Sequence, residues 1–303
     1  MRNTLYFLFF IAFAGKVAGQ SDVQFSHFMF NKFAYNPGYT GSKGAFDAIA
    51  LYRKQWAGFE GAPSTMYMAA HTPFAGLRSG LGLGISSDYI GKANTNALDL
   101  SYAYRISMRN ATVLSLGLSG RLEQVRFRWS AAEALEPGDQ AIPFVDEASL
   151  TPNFGAGAYL RGRNYFVGLS VPRLLKSGLY VDRSDKSFNP LTSYFMGGFM
   201  MRLNQQVQLL PSMLLSYQEA APPDVDVNLN LLFMQSFWVG GSYRLGDSVD
   251  AMAGMELGNG LRLGVSVDFT TSDLQKVTNG SWEIMMGYTF QCKNCEVSHL
   301  RFF

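Results

Sequence analysis

The chain has 303 residues, of which only 16% are charged, and it carries 24 Phe, 15 Tyr, 4 Trp and 31 Gly, whereas ordinary globular chains have about 25% charged residues. A surface this poor in charge has to meet something apolar, and a formal charge of +2 lacks the basic excess that neutralising nucleic-acid phosphates requires. Past residue 19 no segment approaches the ~18 uninterrupted apolar residues of a membrane-crossing helix, which leaves a soluble β-sandwich or a membrane β-barrel.

At the N-terminus, Met1-Arg2-Asn3-Thr4 precedes an apolar run from Leu5 to Gly15 and the small residues Val17-Ala18-Gly19. A basic start, a short apolar stretch and a small-residue site describe a secretory signal peptide over 1–19, with cleavage expected after Gly19. No cysteine stands there to accept a lipid. Loss of Arg2 and Lys16 leaves 23 basic residues against 23 acidic ones, so the mature chain is formally neutral. Residues 20–45 are expected to form an N-terminal periplasmic or plug segment.

From residue 46 the chain reads as strand after strand. Leu98, Leu100, Tyr102, Tyr104 and Ile106 alternate with Asp99, Ser101, Ala103, Arg105 and Ser107, and successive side chains of a strand point to opposite faces. Leu114, Leu116, Leu118 and Leu122 alternate with Ser115, Gly117, Ser119, Arg121 and Glu123; Val225 to Phe233 and Leu261 to Phe269 repeat the pattern. The predicted strands are 46–54, 64–72, 80–87, 95–107, 112–128, 152–162, 164–172, 191–202, 206–218, 225–234, 237–244, 249–257, 261–270 and 280–290. In the last of these, Trp282, Ile284, Met286, Tyr288 and Phe290 share one face, as an interfacial girdle requires. Gly80-Leu-Gly82-Leu-Gly84 falls within a strand with no helix after it, so close packing at a barrel wall is expected rather than a phosphate loop.

The links between strands alternate between tight turns (108–111, 163, 203–205, 235–236, 258–260) and longer connections (129–151, 173–190, 219–224, 245–248, 271–279). Short periplasmic turns and longer extracellular loops are the asymmetry of outer-membrane barrels, and a sandwich has no reason to keep that parity. The expectation is therefore an all-β, transmembrane, antiparallel up-and-down barrel of about 14 strands over 46–290. Both termini would lie in the periplasm, with a tail at 291–303.

Little in the chain points to catalysis. His27, His71 and His299 are far apart, so neither a metal site nor a Ser-His-Asp arrangement can be read from them. No metal, cofactor or enzymatic activity is expected; His71 is the base to test if the barrel were a lipid-modifying enzyme. Cys292 and Cys295 form a lone Cys-x-x-Cys, read as a local disulfide or as two free thiols.

The segment Gln20-Ser-Asp-Val-Gln24-Phe25-Ser26-His-Phe-Met29-Phe30-Asn31 with Tyr35-Asn36-Pro37-Gly-Tyr39-Thr-Gly41-Ser42, and the run Arg53-Lys-Gln55-Trp56-Ala-Gly58-Phe-Glu-Gly61-Ala62-Pro63-Ser-Thr65, carry a family signature. They are joined by His71-Thr-Pro73, Asp88-Tyr-Ile90-Gly91, Tyr102-Ala-Tyr104-Arg105 and Tyr165-Phe-Val-Gly168-Leu-Ser-Val-Pro172. Together these resemble the PorP/SprF family, outer-membrane proteins of the Bacteroidota type IX secretion and gliding systems. The tail Ser298-His-Leu-Arg301-Phe302-Phe303 is similar to the family's Ser-Pro-Arg-Tyr-Phe ending, with Leu300 and Phe302 at the differing positions.

The resemblance implies a non-enzymatic role in export or surface anchoring of cargo, notably large adhesins with a type B C-terminal signal. It also implies contact with outer-membrane lipid and with periplasmic, peptidoglycan-associated secretion components. Combined with the predicted orientation, it makes Arg53, Gln55, Trp56, Gly58, Gly61, Pro63, Asp88 and Ile90 a candidate cargo face. Phe25, Met29, Phe30, Asn31, Asn36, Pro37, Arg301, Phe302 and Phe303 become candidate contacts for periplasmic partners. A plainer reading makes Trp56 an interfacial anchor and the glycines and Pro63 shapers of a tight loop. The competing function is a passive channel or transporter for small or greasy solutes, with residues 20–42 as a plug.

Overall fold

An extended chain whose two faces differ in polarity is stable across a bilayer only if every backbone group is paired, which means a closed sheet. The computed structural model of the protein describes residues 23–74, 78–131, 145–175, 177–178, 187–189, 191–218 and 221–290, and it closes such a sheet. The strands are β1 (Asp47–Lys54), β2 (Ser64–Pro73), β3 (Ser79–Ile90), β4 (Ala93–Ser107), β5 (Val113–Phe127), β6 (Glu147–Arg161) and β7 (Tyr165–Val171), then β8 (Thr192–Phe199, resuming at Met201–Arg202). They continue with β9 (Val207–Gln218), β10 (Asp224–Phe233), β11 (Phe237–Arg244), β12 (Ser248–Glu256), β13 (Leu261–Thr270) and β14 (Ser281–Thr289). Each pairs antiparallel with the next, and β14 returns to β1 in the register Asp47↔Thr289 to Lys54↔Trp282. A ring of fourteen strands has no free edge.

The predicted alternation sorts as expected. On β4, Leu98, Leu100, Tyr102, Tyr104 and Ile106 face outward with 38–60% exposure, while Ser101 and Ala103 are buried toward the lumen. On β10, Asp226, Asn228 and Asn230 face inward, and on β13 so do Arg262, Ser266 and Asp268. Trp282, Ile284, Met286, Tyr288 and Phe290 all face outward on and just after β14.

Where boundaries differ from expectation, the cause is polarity on both faces. β3 runs to Ile90, β4 starts at Ala93 and β6 starts at Glu147, longer than the periodic stretches. Beyond the apolar band, Ser87 donates to Asn96 (2.8 Å) and Asn96 to Asn94 (2.6 Å), so no apolar period marks these strand ends. β4, β5 and β6 each have 15 residues, about 50 Å of strand, and form a wall taller than the 8-residue β1 and β11. The link after β7 carries a small ladder of Ser177–Gly178 with Ser187–Asn189.

The two ends of the barrel are distinct. The terminal rim holds the start of β1, the end of β14 and the described residues of the short turns; the loop rim holds the links 55–63, 91–92, 245–247 and 271–280 and the strand ends that border the β5–β6, β7–β8 and β9–β10 connections. Residues 23–46, ahead of β1, pass lengthwise through the lumen as an irregular strap with two short 3₁₀ turns, Lys32–Ala34 and Pro37–Tyr39. Gln24 hydrogen-bonds Asp224 at the loop-rim end of β10, and Gly41 lies beside Pro73 and Gly80 at the terminal rim.

Candidate functional site

Two places gather the side chains singled out by sequence: the strapped lumen and one sector of the loop rim. In the lumen, Phe25, Phe28, Phe30, Phe33, Tyr35 and Tyr39 of the strap are only 1–6% exposed, and burying each aromatic or aliphatic side chain of this kind is worth about 1.5–3 kcal/mol. They reach opposite walls. Phe30 packs on Trp238 of β11 (4.7 Å between centroids), Phe33 stacks on His71 of β2 (5.6 Å), and Tyr35 meets Tyr194 of β8 edge-on (5.2 Å).

The wall is carved to receive this backbone. A β-carbon on Gly117 would lie 2.3 Å from the Gly38 nitrogen, and one on Gly82 would lie 2.3 Å from the Phe33 ring. Asn36 anchors the middle: its side-chain NH₂ donates to the Ala158 carbonyl (3.0 Å), and its oxygen accepts from Gly38 N–H (2.8 Å).

Ion pairs fasten both halves. Toward the loop rim, Arg53 of β1 is 1% exposed, pairs with Asp268 (2.6 Å) and Glu283 (3.5 Å), and donates to Ser26 Oγ (2.6 Å). Glu283 also accepts from the Ser26 and His27 backbone N–H groups and touches His27 Nδ1 at 2.7 Å. Toward the terminal rim, Lys43 pairs with Asp47 (2.8 Å), which Arg262 also approaches (3.1 Å).

His71, the base considered for a hydrolase, is 4% exposed there; Nδ1 accepts from Gly41 N–H (3.2 Å) and Nε2 lies 3.7 Å from Asp47. Both its ring nitrogens thus face the strap and β1. Burial lowers the Lys43 ammonium to about 8, aided by nearby Arg262 and opposed by Asp47. Burial pushes Lys32 down as well, with Lys43 and Arg262 adding to the effect; its Nζ donates to the Met29 carbonyl (2.6 Å) and sits over the Phe166 ring.

At the loop rim, the β1–β2 link is clasped by two neighbours. Ala57 N–H donates to the Gly280 carbonyl (2.7 Å), Asn279 N–H returns to the Ala57 carbonyl (2.8 Å), and Gly91 N–H donates to the Gly61 carbonyl (2.9 Å). Gln55 N–H closes the base of the loop on the Pro63 carbonyl (3.0 Å). Trp56 takes φ of +45° and donates its N–H to Ser281 Oγ (3.1 Å). Gly58 (φ +91°) has Asn279 so close that a β-carbon would meet it at 2.7 Å. Phe59 and Ile90 stand at the surface of this sector, each 51% exposed, with Tyr89 at 45%.

Of the candidate cargo face, Gln55, Trp56, Gly58, Gly61, Pro63, Asp88 and Ile90 therefore come together, with Asp88 held by the Thr65 hydroxyl inside the end of β3. Arg53 does not join them; it lies in the lumen. Phe25, Met29, Phe30, Asn31, Asn36 and Pro37 are all buried around the strap. Cys292, Cys295, Arg301, Phe302, Phe303 and the Gly19 cleavage site lie outside the described residues. Phe59 was not singled out by sequence; its signal was its place between Gly58 and Gly61, which a turn would push outward.

Comparison with known proteins gives one family, described as "Type IX secretion system membrane protein PorP/SprF", which matches residues 17–288. No curated protein matches the chain. Among solved structures it is similar to the outer membrane protein Omp33 of Acinetobacter baumannii, with a TM-score of 0.46 and 9% identity over 84% of this chain and 100% of that one. It is also similar to a FadL homologue of Pseudomonas aeruginosa (TM-score 0.44, 12% identity, 92% of this chain and 97% of that one). The KdgM porin compares at a TM-score of 0.39 and 10% identity over 81% and 99%.

Proposed function

We propose that this chain, which belongs to the PorP/SprF family of type IX secretion membrane proteins, works in that pathway as a plugged, non-enzymatic docking barrel that helps cargo reach or stay on the surface. The observation that carries this reading is the strap: a lumen occupied along its length by Gln24 to Lys43 favours action through the rims over passage of solute. The loop rim is the cargo face, on the reading that both rims keep the outer-membrane orientation of short periplasmic turns and longer outer links. Its contact surface is the clasped sector of Phe59, Tyr89 and Ile90 with the half-buried Trp56, because exposed aromatic and aliphatic groups on a rigid frame make efficient docking anchors. Cargo of the adhesin class with a type B C-terminal domain is the proposed occupant. The terminal rim and the tail with Arg301, Phe302 and Phe303 are assigned to periplasmic, peptidoglycan-associated components.

Replacing Phe59 and Ile90 with Ser is expected to lower adhesin display on the cell surface at unchanged barrel abundance. Wild-type display by that variant would remove the cargo face from this sector. In planar bilayers the purified barrel is expected to be silent, and steady conductance would favour the channel reading instead.

A further inference from the structure

The terminal rim carries a charge pattern that the secretion role does not use. Four successive turns of that rim each present an arginine: Arg78 between β2 and β3, Arg109 between β4 and β5, Arg163 between β6 and β7, and Arg202 leading from β8 into β9. All are exposed, and none makes a side-chain hydrogen bond or ion pair among the described residues. The terminal-rim turns 74–78, 108–112, 162–164, 203–206, 234–236 and 257–260 contain no Asp or Glu. The described loop-rim links, by contrast, mix Glu60, Asp146, Asp247 and Asp273 with Lys92, Arg128, Arg173 and Lys276.

The level of these arginines matters as much as their sign. Each adjoins an outward apolar side chain of the terminal-rim border: Phe74, Met108, Tyr165, and Met201 with Leu203, all 38–55% exposed. Apolar groups there mark the edge of the hydrocarbon, so the guanidinium groups stand where lipid phosphates lie. Guanidinium forks bind phosphate oxygens in pairs. Turns two strands apart are about 10 Å apart along the rim, a separation that gives each arginine its own headgroup.

We propose that this arc, from β2 to β9, is a binding site for anionic glycerophospholipid headgroups. It rests on the orientation proposed above only in assigning the lipid to the periplasmic leaflet; the binding itself does not depend on the cargo reading. Such an arc pins one side of the barrel to the phosphate plane and leaves the β10–β14 side, whose turns carry Gln235 and Asn259, free of that anchor.

The test uses the full purified barrel in detergent, with dioleoyl phosphatidylglycerol, dioleoyl phosphatidylcholine and lipid A offered in competition and bound lipid counted by native mass spectrometry. Phosphatidylglycerol is expected to be retained over phosphatidylcholine by at least about fivefold, the contribution of one arginine near an anionic surface. The preference should vanish in R78Q/R109Q/R163Q/R202Q and weaken in R202Q alone. Heat-modifiable gel mobility checks that each variant is folded, and R109Q/R163Q serves if the quadruple variant is not. Equal retention of the two phospholipids, an unchanged preference in the folded variants, or a preference for lipid A over phosphatidylglycerol would each overturn the assignment. So would binding of polyglutamate that displaces the phospholipid completely, which would give the arc to an acidic protein partner.

Discussion

Gly117→Val asks whether the strap is seated by the shape of the wall. A β-carbon there would lie 2.3 Å from both the Gly38 nitrogen and the Pro37 carbonyl carbon, where ordinary contact begins at 3.4 Å. The strap must retreat by about 1 Å, and overpacking of this kind costs ~1–3 kcal/mol in a close-packed interior. The cost falls on strap docking because Gly117 keeps its ladder partners, Ala103 and Gly157, on either side. At ~1.4 kcal/mol per factor of ten, the unseated population rises about 5- to 150-fold. Trypsin cutting after Lys32 and Lys43, both buried when the strap is seated, reports that population when opening and closing are fast relative to cleavage. Gly120→Val on the same strand is the control, since a β-carbon there meets nothing within 4 Å. Equal cleavage of the two variants would refute the argument that steric fit holds the strap.

Arg53→Met leaves Asp268 and Glu283 buried without their shared cation, and a broken buried pair costs ~3–5 kcal/mol; a heat-modifiable band should unfold at a visibly lower temperature, and an unchanged transition would exclude the clamp. Lys43, lowered from 10.5 to about 8 when seated, holds fewer protons in the docked than in the free strap between those values. Docking should therefore strengthen as pH rises through that window and weaken as pH falls toward 8. Subtilisin protection at pH 10 relative to pH 8, normalised to an unstructured peptide, should increase in the wild type and increase less in Lys43→Met, where the buried Lys32 still contributes in the same direction; a decrease in the wild type would contradict the shift.

The strands legible in the sequence are those with water or strap on one side and lipid on the other. Val225 to Phe233 and Leu261 to Thr270 state their inward and outward faces residue by residue, and the structure keeps that assignment. The predicted strands stop short of the tall wall because its upper part, around Asn94 and Asn96, is polar on both faces and carries no period of two. Arg53 falls inside the predicted strand 46–54, but its motif groups it with the loop residues of the candidate cargo face. Its parity with Asp47, Ile49 and Leu51 is the inward one, yet apolar residues on both faces of β1 hide that parity. The path of the strap left no trace in pattern at all. Its segment is rich in aromatics, but what orders it is wall residues up to 257 positions away, as from Ser26 to Glu283, and such contacts have no local signature.

A strap that lies inside a closed cylinder also constrains the order of events in folding. Ser26 and His27 find their partners on β13 and β14, the last strands of the barrel in chain order, and β14 is also the strand that seals against β1. The strap therefore has no complete seat until the barrel's final hairpin arrives, and contacts this remote in sequence form late because long loops must close first. Either the wall curls shut around a waiting strap, or the strap slips in from the terminal rim after the seam has zipped. In the first route the act that seals the barrel is also the act that fills the bore; in the second a closed but open-bored barrel precedes the seated one.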